Sequence, residues 1–309
     1  MAPHTPPKTL FEPTHSIFVE NGSPETRSPA ATTSSRRAKA QERAVAARAA
    51  LAECQLCAHH CGVNRLAGEL GLCRAGSAAR VFSAQVEVGD ELELIPTFAI
   101  ALSGCDFRCD FCLTGAASWN PRAGKLLRPE VLGRHAAAAL AEGARTVMLL
   151  GGEPTVHLPA ALEIVAAMPA AAKLVWKTNA HGSAQAREWL DGLFDVWLAD
   201  YKYGNDTCSE RLAGVQNYGP IVRENLLWAS QHSELIVRHL LMPGHLECCW
   251  GPVAEWLAAE LPGVKVSLRP AFWPAWHAAR HPELRRTVPA SESGRALQLA
   301  KGLGLNLIP

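Results

Sequence analysis

The chain has 309 residues, of which 48% are hydrophobic, and its formal net charge is +1. These values are typical of a globular protein with one large domain and an appendage, and they give no electrostatic case for a nucleic-acid or membrane partner. No apolar run is long enough to span a bilayer, and no secretory signal pattern opens the sequence. We therefore expect a cytoplasmic protein, in which ten cysteines would not form a disulfide framework.

The first 80 residues divide into two parts. Residues 1–35 are rich in Pro, Ser, Thr and Ala and show no sustained period, so we expect a disordered leader. Residues 36–53 are Ala-rich with interspersed charges, which predicts a helix. We interpret residues 36–80 as that helix followed by a small metal-binding module, and residues 94–309 as the main domain.

The predicted module contains four cysteines, Cys54, Cys57, Cys61 and Cys73, with glycines between them. Cysteines so closely spaced among glycines indicate tight turns around a metal. Zinc favours four-thiolate sites of this kind, and an iron–sulfur cluster is the alternative. His59 and His60 lie between these cysteines, and we interpret both as exposed neighbours rather than as ligands.

The main domain alternates short apolar runs with helical segments. The runs are LIPTFAIALSG, RTVMLLGG, KLVWKTN, DVWLADYK, ELIVRHLLMPG and GVKVSLRP. Helices are predicted near residues 129–142, 158–168, 183–192, 219–232, 248–260 and 291–303. Apolar strands that alternate with helices predict a parallel sheet covered by helices. Six such units predict a partial (β/α)6 barrel, and a doubly wound open sheet is the competing architecture.

Three cysteines follow the first run, with the spacing C-x3-C-x2-C: Cys105, Cys109 and Cys112. Three thiolates this close together can hold three irons of a [4Fe–4S] cube and leave the fourth iron without a protein ligand. An open metal position allows a cofactor or substrate to coordinate there. A zinc knuckle or three structural thiols are the alternatives.

Polar residues follow most of the other runs, at predicted strand ends. Gly151, Gly152 and Glu153 end the second run, and the two glycines would let a ligand approach the backbone closely. The third, fourth and fifth runs carry Lys177-Thr178-Asn179, Asp200-Tyr201-Lys202 and Arg238-His239. Because reacting groups gather at the carboxyl ends of parallel strands, we expect these side chains to meet at one face of the sheet.

The cysteine spacing and the Gly-Gly-Glu-Pro stretch resemble the radical S-adenosylmethionine (SAM) superfamily. The resemblance implies that the cysteines hold the cluster, that Glu153 binds the amino group of SAM, and that the backbone at Phe111 faces its adenine. Thr178-Asn179, Asp200-x-Lys202 and the Arg238 strand resemble the pyruvate formate-lyase activating enzyme group. Asp200, Lys202 and Arg238 would then lie near SAM and the substrate. The four-cysteine segment and the DYKYG, NYG and RHLLMPG stretches resemble an activating-enzyme-like subgroup.

The resemblance implies a radical SAM oxidoreductase. One electron from a flavodoxin- or ferredoxin-like donor would cleave SAM reductively, and the 5′-deoxyadenosyl radical would abstract a hydrogen atom. The substrate is either a glycyl residue of a partner glycyl radical enzyme, which needs a wide mouth, or a small molecule or peptide, which needs a polar pocket. A non-enzymatic alternative is an iron–sulfur electron carrier or a zinc-binding interaction protein, neither of which would bind SAM.

Several remaining residues carry weaker signals. Cys208, Cys248 and Cys249 are candidates for an auxiliary cluster, but two adjacent cysteines are a poor pair of ligands for one cube, so we expect buried or surface thiols. Trp273 and Trp276 are expected in the core or in lid packing rather than in a substrate cavity. His157 and His181 lie near strand ends and are not assigned to the site.

Overall fold

The computed structural model describes residues 29–89 and 91–309, so most of the predicted leader lies outside the described residues. The first helix, α1, spans Pro29–Ala49 and therefore begins inside the segment that we assigned to the leader. A 3₁₀ turn, Ala50–Glu53, continues it to the first cysteine. No described helix is long and apolar enough to cross a membrane.

Nine strands form one sheet within the described residues. They are β1 (Arg80–Glu87), β2 (Thr97–Leu102), β3 (Lys125–Leu126), β4 (Thr146–Gly151), β5 (Leu174–Thr178), β6 (Val196–Asp200), β7 (Glu234–Leu240), β8 (Lys265–Arg269) and β9 (Asn306–Leu307). Their order is β3-β1-β2-β4-β5-β6-β7-β8-β9. In this order, neighbouring strands from β2 to β9 pair in parallel, and β1 and β3 add an antiparallel edge.

Eight further helices follow α1 along the chain. They are α2 (Ala116–Trp119), α3 (Pro129–Ala141), α4 (Leu158–Ala167), α5 (Ala184–Leu190), α6 (Asp206–Ala213), α7 (Tyr218–His232), α8 (Gly251–Glu260) and α9 (Ala290–Gly302). All six predicted strands and all six predicted main-domain helices are present. The parallel α/β fold is that of a partial (β/α) barrel, as the sequence predicts. The sequence did not predict β1, β3, β9, α2 or α6.

The two faces of the sheet differ in what covers them. One face packs on the helices and forms the large core, which includes Trp176 of β5 and Trp197 of β6. The other face has its own buried cluster, which contains only strand residues and Leu94: Met148, Val175, Val196, Leu198 and Ile236. Because side chains alternate along a strand, residues two positions beyond these share that inner face. The inner face therefore continues, towards the carboxyl ends of the strands, into the residues of the predicted site.

Candidate functional site

The three cysteines of the C-x3-C-x2-C motif lie in the loop between β2 and α2. Cys105 is buried, and Cys109 and Cys112 are partly exposed. The amide of Phe107 donates a hydrogen bond to Cys105 Sγ at 3.3 Å, and the amide of Cys112 donates to the carbonyl of Cys109 at 3.2 Å. The loop thus turns tightly and gathers three sulfur ligands at the carboxyl end of β2.

The chemistry of these thiols fits a metal cluster. Burial raises the pKa of Cys105 well above its ordinary value, and burial raises the pKa of Cys109 to about 12 despite the opposing effects of Lys202 and Tyr203. Thiols in this state are protonated and inert unless a metal replaces the proton, because the thiolate is the ligand. Three soft sulfur donors on one short loop are the donor set that iron–sulfur clusters use.

The loop that carries the three cysteines, residues 103–115, is called the cluster loop below. It is hydrogen-bonded to α6 and to the C-terminal region. The amides of Arg108 and Asp110 donate to the carbonyls of Ala213 and Leu212, both at 2.9 Å, at the end of α6. The carbonyl of Asp110 accepts a 2.7 Å bond from the amide of His277. The loop position therefore depends on where α6 lies.

Two glycines allow the loop to sit against the end of β4. A Cβ on Gly151 would lie 2.1 Å from the carbonyl oxygen of Leu102, and one on Gly152 would lie 2.0 Å from that of Gly104. Gly151 also has φ = +143°, which L side chains rarely adopt. The chain segment that these glycines admit is the cluster loop itself, where our sequence interpretation expected a ligand.

Glu153 is buried and joins the ends of β4 and β5. Its Oε1 accepts hydrogen bonds from the amide and hydroxyl of Thr155, at 3.1 and 2.6 Å, and from the hydroxyl of Thr178 at 2.8 Å. Its Oε2 accepts from the amide of Asn179 at 2.7 Å. Burial, together with the nearby Asp106, raises the pKa of Glu153 to about 7. Thr178 and Asn179, both predicted site residues, thus contact Glu153 directly.

The sequence interpretation missed a buried polar group beside Cys105. The carboxylate of Asp106 accepts a 2.7 Å hydrogen bond from Asn179 and lies 3.1 Å from Nδ1 of His181. His59 lies 3.1 Å from the carbonyl of Asp106, and its ring contacts that of His181. His59 is thus half-buried at the junction of the four-cysteine segment and the barrel, and only His60 is an exposed neighbour. The only signal in the sequence was the position of Asp106 next to a cysteine ligand.

Charged side chains converge on the inner face of the sheet. Lys177, Asp200 and Arg238 each stand two positions beyond a residue of the inner-face cluster, and Asp200 and Arg238 are register partners. Nζ of Lys202 donates to Oδ2 of Asp200 at 2.5 Å. Burial opposes ionisation of Asp200, but Lys202, Arg238 and Lys177 outweigh burial and lower its pKa. Burial likewise opposes the charge of Lys202, but Asp200 and Cys109 raise the pKa of this lysine.

A second carboxylate lies deeper on the same face. Glu91 is fully buried and accepts a 2.8 Å hydrogen bond from the hydroxyl of Ser267 on β8. The guanidinium Nε atoms of Arg238 and Arg269 lie 3.7 and 3.6 Å from the same carboxylate oxygen. With Lys177, Lys202 and Asp200, the described residues at this end of the inner face include four cationic side chains and two carboxylates. Such a surface can bind and orient an anionic group by charge-assisted hydrogen bonds.

The aromatic residues near the loop have different environments. Phe111 is buried and packs against the rings of Tyr203 and Phe272, with centroids 6.4 and 6.0 Å apart. Trp276 is 42% exposed and packs over Gly115 and against Trp119. Trp273 is 67% exposed, so our expectation that it packs in the core or in a lid was wrong.

The four-cysteine segment packs on the barrel. The amide of Ala58 donates to the carbonyl of His181, that of Ser183 donates to the carbonyl of Leu56, and both bonds are 3.0–3.1 Å long. Cys54, Cys57 and Cys73 are buried and Cys61 is exposed. Positive φ angles at His60, Gly62, Gly68 and Arg74 produce the tight turns that the sequence predicts. These contacts join the segment to the loop after β5, next to Asn179.

The structure also brings together Cys208, Cys248 and Cys249, which we expected to be buried or surface thiols rather than ligands of one cluster. Their sulfur atoms and Nδ1 of His245 all lie within 4.8 Å of one another. All ten cysteines are free thiols. His157, which we left unassigned, is buried, and burial lowers its pKa to about 3.

Comparison with known proteins agrees with this geometry. Residues 100–257 match the model of the radical SAM superfamily. An uncharacterized protein of Methanocaldococcus jannaschii, MJ0674, is 30% identical over 271 residues, which are 82% of this chain and 76% of that protein. This relative carries no assigned activity.

Solved structures show the fold at low sequence identity. SuiB of Streptococcus suis, in a complex with its precursor peptide SuiA, has a TM-score of 0.51 at 15% identity over 66% of this chain. The complex of SuiB with S-adenosylmethionine has a TM-score of 0.52 at 14% sequence identity. The chain spans about half the length of SuiB, with 46–47% of that chain covered. A domain of pyruvate-formate lyase-activating enzyme from Bacteroides vulgatus has a TM-score of 0.36 at 17% sequence identity. The match covers 44% of this chain and 80% of that domain.

Proposed function

Because the chain belongs to the radical SAM superfamily, we propose that it is an enzyme that removes a hydrogen atom from a substrate carrying an anionic group. The observation that carries the proposal is the convergence of Lys177, Lys202 and Arg238 around Asp200 on the inner face of the sheet. Arg269 adds a fourth cation beside Glu91. A carboxylate or phosphate is the group that such a surface fits best.

Cys105, Cys109 and Cys112 would hold a [4Fe–4S] cluster, and a flavodoxin- or ferredoxin-like protein would reduce it. When bound, the cluster supplies the electron for reductive cleavage of SAM, which yields the radical that attacks the substrate. Glu153 would accept a hydrogen bond from the amino group of SAM through Oε2, which receives one hydrogen bond from the residues that the structure describes. The backbone at Phe111 would face the adenine.

Asp200 and Lys202 would act where SAM meets the substrate. The interaction of Lys202 with Cys109 supports this role, since it brings the ammonium group within electrostatic range of the cluster loop. Asp200 would keep Lys202 and Arg238 oriented towards the bound anion. A pair at the surface would contribute little, because water screens exposed charges.

Cys54, Cys57, Cys61 and Cys73 would bind a second metal. Their mutual electrostatic influence supports this, because Cys61 and Cys73 both affect the thiol of Cys57. A Cβ on Gly71 would lie 2.9 Å from Cys61 Sγ, so the glycine leaves this sulfur accessible within the turn. No three of these sulfur atoms lie within 4.8 Å of one another, whereas sulfurs bound to one zinc ion are about 3.8 Å apart, so we favour an iron–sulfur cluster over zinc.

The first experiment measures 5′-deoxyadenosine formed from SAM by the anaerobically reconstituted protein and a chemical reductant. The parent should form it, and a variant with alanine at Cys105, Cys109 and Cys112 should not. Equal formation by this variant would refute the assignment of the cluster.

The second experiment identifies the substrate class. Fractions of a cell extract, separated by size and by anion exchange, are added, and stimulation of 5′-deoxyadenosine formation is measured. We expect stimulation by small anionic compounds or anionic peptides, at least tenfold weaker in Arg238→Gln than in the surface control Lys301→Gln. Stimulation by a large protein fraction alone, with a glycyl radical signal in its EPR spectrum, would instead indicate an activase and refute the anionic-pocket proposal.

A further inference from the structure

A second group of metal-ligand atoms lies outside the proposed SAM site. Cys208 lies in the first turn of α6, and His245, Cys248 and Cys249 lie after β7. The Sγ atoms of Cys208 and Cys248 are 3.8 Å apart, and those of Cys248 and Cys249 are 3.9 Å apart. Nδ1 of His245 is 3.7, 3.3 and 3.6 Å from the sulfurs of Cys208, Cys248 and Cys249.

These separations are those of four ligands around one ion. Zinc binds thiolate sulfur at about 2.3 Å and imidazole nitrogen at about 2.0–2.1 Å in a tetrahedron. The corresponding tetrahedral edges are about 3.8 Å between two sulfurs and about 3.5 Å between sulfur and nitrogen. Two of the three sulfur–sulfur separations, 3.8 and 3.9 Å, and all three sulfur–nitrogen separations, 3.3–3.7 Å, match these edges. The third sulfur pair, Cys208 and Cys249, lies within 4.8 Å. A [4Fe–4S] cube would hold its thiolates further apart, because each binds a different iron.

The local backbone explains how adjacent cysteines can both serve as ligands. Leu246–Trp250 is a π-helical turn, in which the amide of Trp250 donates to the carbonyl of His245 at 3.2 Å. In this turn the side chains of Cys248 and Cys249 approach the same point, whereas adjacent side chains of a strand point to opposite faces. Such turns are frequent at functional sites. Two adjacent cysteines are therefore compatible with one ion here.

Neighbouring residues hold the two halves of the group together. A Cβ on Gly204 would lie 2.5 Å from the carbonyl oxygen of Cys249, so only glycine fits there. Asn205 donates from Nδ2 to the carbonyl of Cys248 at 2.6 Å and accepts at Oδ1 from the amide of Cys208 at 2.8 Å. The segment from Gly204 to Cys208, which follows β6, is thereby held against the π-helical turn.

The second ring nitrogen of His245, Nε2, faces charged side chains. Nε2 of His245 lies 3.4 Å from Nη2 of Arg211 and 3.6 Å from a carboxylate oxygen of Glu283, and these two side chains form a 2.7 Å ion pair with each other. Metal-bound histidines usually present the other ring nitrogen to a carboxylate, carbonyl or water, which fixes the ring orientation. His245 and two of the three cysteines are buried. With four protein ligands, the site would have no open position, which is typical of structural zinc.

We propose that Cys208, His245, Cys248 and Cys249 bind one structural zinc ion that joins the loop after β6 to the loop after β7. The link has a consequence for the cluster loop, because Cys208 stands in the first turn of α6 and the last turn of α6 accepts the amides of Arg108 and Asp110. The zinc ion therefore fixes the helix on which the cluster loop rests. Its role is positioning rather than catalytic.

The test is metal analysis of the full-length protein before and after reconstitution with iron. We expect Cys248→Ser and His245→Ala to contain one zinc ion less per chain than the parent. Cys61→Ser, in the four-cysteine segment, is the matched control and should keep this zinc. X-ray absorption of the zinc in the parent should show three sulfurs at about 2.3 Å and one nitrogen at about 2.0–2.1 Å.

A third variant distinguishes the loss of a ligand from a loss of folding. His245→Cys replaces the nitrogen ligand by a fourth sulfur, so it should retain zinc, and the visible spectrum of its cobalt-substituted form should differ from that of the parent. Equal zinc in the parent, Cys248→Ser and His245→Ala would overturn the proposal. So would iron in place of zinc at this site, or a zinc absorption spectrum of four sulfurs in the parent.

Discussion

Gly152→Ala tests the close approach between the cluster loop and the end of β4. The added Cβ would lie 2.0 Å from the carbonyl oxygen of Gly104 and 3.1 Å from Cβ of Cys105. Cβ atoms essentially never lie under 3.0 Å from such an oxygen, so the loop must move by about 1 Å. The movement would weaken the 2.9 Å hydrogen bond from the amide of Glu153 to the carbonyl of Gly104.

The magnitude follows from two contributions. Overpacking a well-packed site costs about 1–3 kcal/mol, and a lost hydrogen bond costs about 1 kcal/mol. The free energy of unfolding should therefore fall by about 2–4 kcal/mol. A displacement of about 1 Å in a catalytic group can cost about 100-fold in rate, so 5′-deoxyadenosine formation should fall by about that factor.

The assays are anaerobic denaturant unfolding, iron content after reconstitution and the rate of 5′-deoxyadenosine formation. Gly294→Ala is the matched control, because Gly294 lies in α9 with no atom within 4 Å of the added Cβ. It should be neutral or stabilising by up to about 1 kcal/mol. Parent-like stability, iron content and rate in Gly152→Ala would refute the close approach described for the loop.

Three further predictions concern side chains of the site. Asp200→Asn and Lys202→Ala should each lower 5′-deoxyadenosine formation while the absorption of the cluster persists, and unchanged turnover would make the pair structural. The affinity for SAM should rise from about pH 6 to about pH 8 in the parent, because Glu153, with a pKa of about 7, ionises over that range and the carboxylate accepts a stronger hydrogen bond from the amino group of SAM than the neutral acid does. In Glu153→Gln the rise in SAM affinity with pH should be absent. A rise that persists in this variant would mean that another group causes the pH dependence. Cys57→Ser should remove the metal of the four-cysteine segment and leave the iron held by the cluster loop, as measured by iron and zinc content per chain.

Most of the barrel could be predicted because its strands are buried on both faces. Continuous apolar runs such as residues 147–150 and 196–199 are typical of such strands, and the helices between them have clear boundaries. The edge strand β1 escaped prediction because its residues are only partly buried and mix polar with apolar side chains. Helix α6 escaped prediction because it has only eight residues, three of them charged; its N-cap residue, Asn205, was its strongest signal.

The site was predictable to the extent that ligands are close in sequence. Cys105, Cys109 and Cys112 share one loop, so their spacing alone indicates a cluster. Asp106 and His181 are 75 residues apart, and only the packing of the loop after β5 on the cluster loop brings them together. Residues that meet through tertiary packing leave no local pattern in a single sequence.

The proposed zinc ligands also meet only through tertiary packing, and their meeting bears on the cluster loop. Cys208 and Cys248 are 40 residues apart, and their meeting requires both the glycine at position 204 and the π-helical turn after β7. Once they meet, α6 is held at its first turn by the proposed zinc site and at its last turn by the amides of the cluster loop. Loss of zinc should therefore alter the cluster loop without removing any of its own ligands. A change in the EPR spectrum of the reduced cluster in Cys248→Ser, with iron content unchanged, would be the signature of that coupling, and an identical spectrum would mean that α6 holds the loop without the metal.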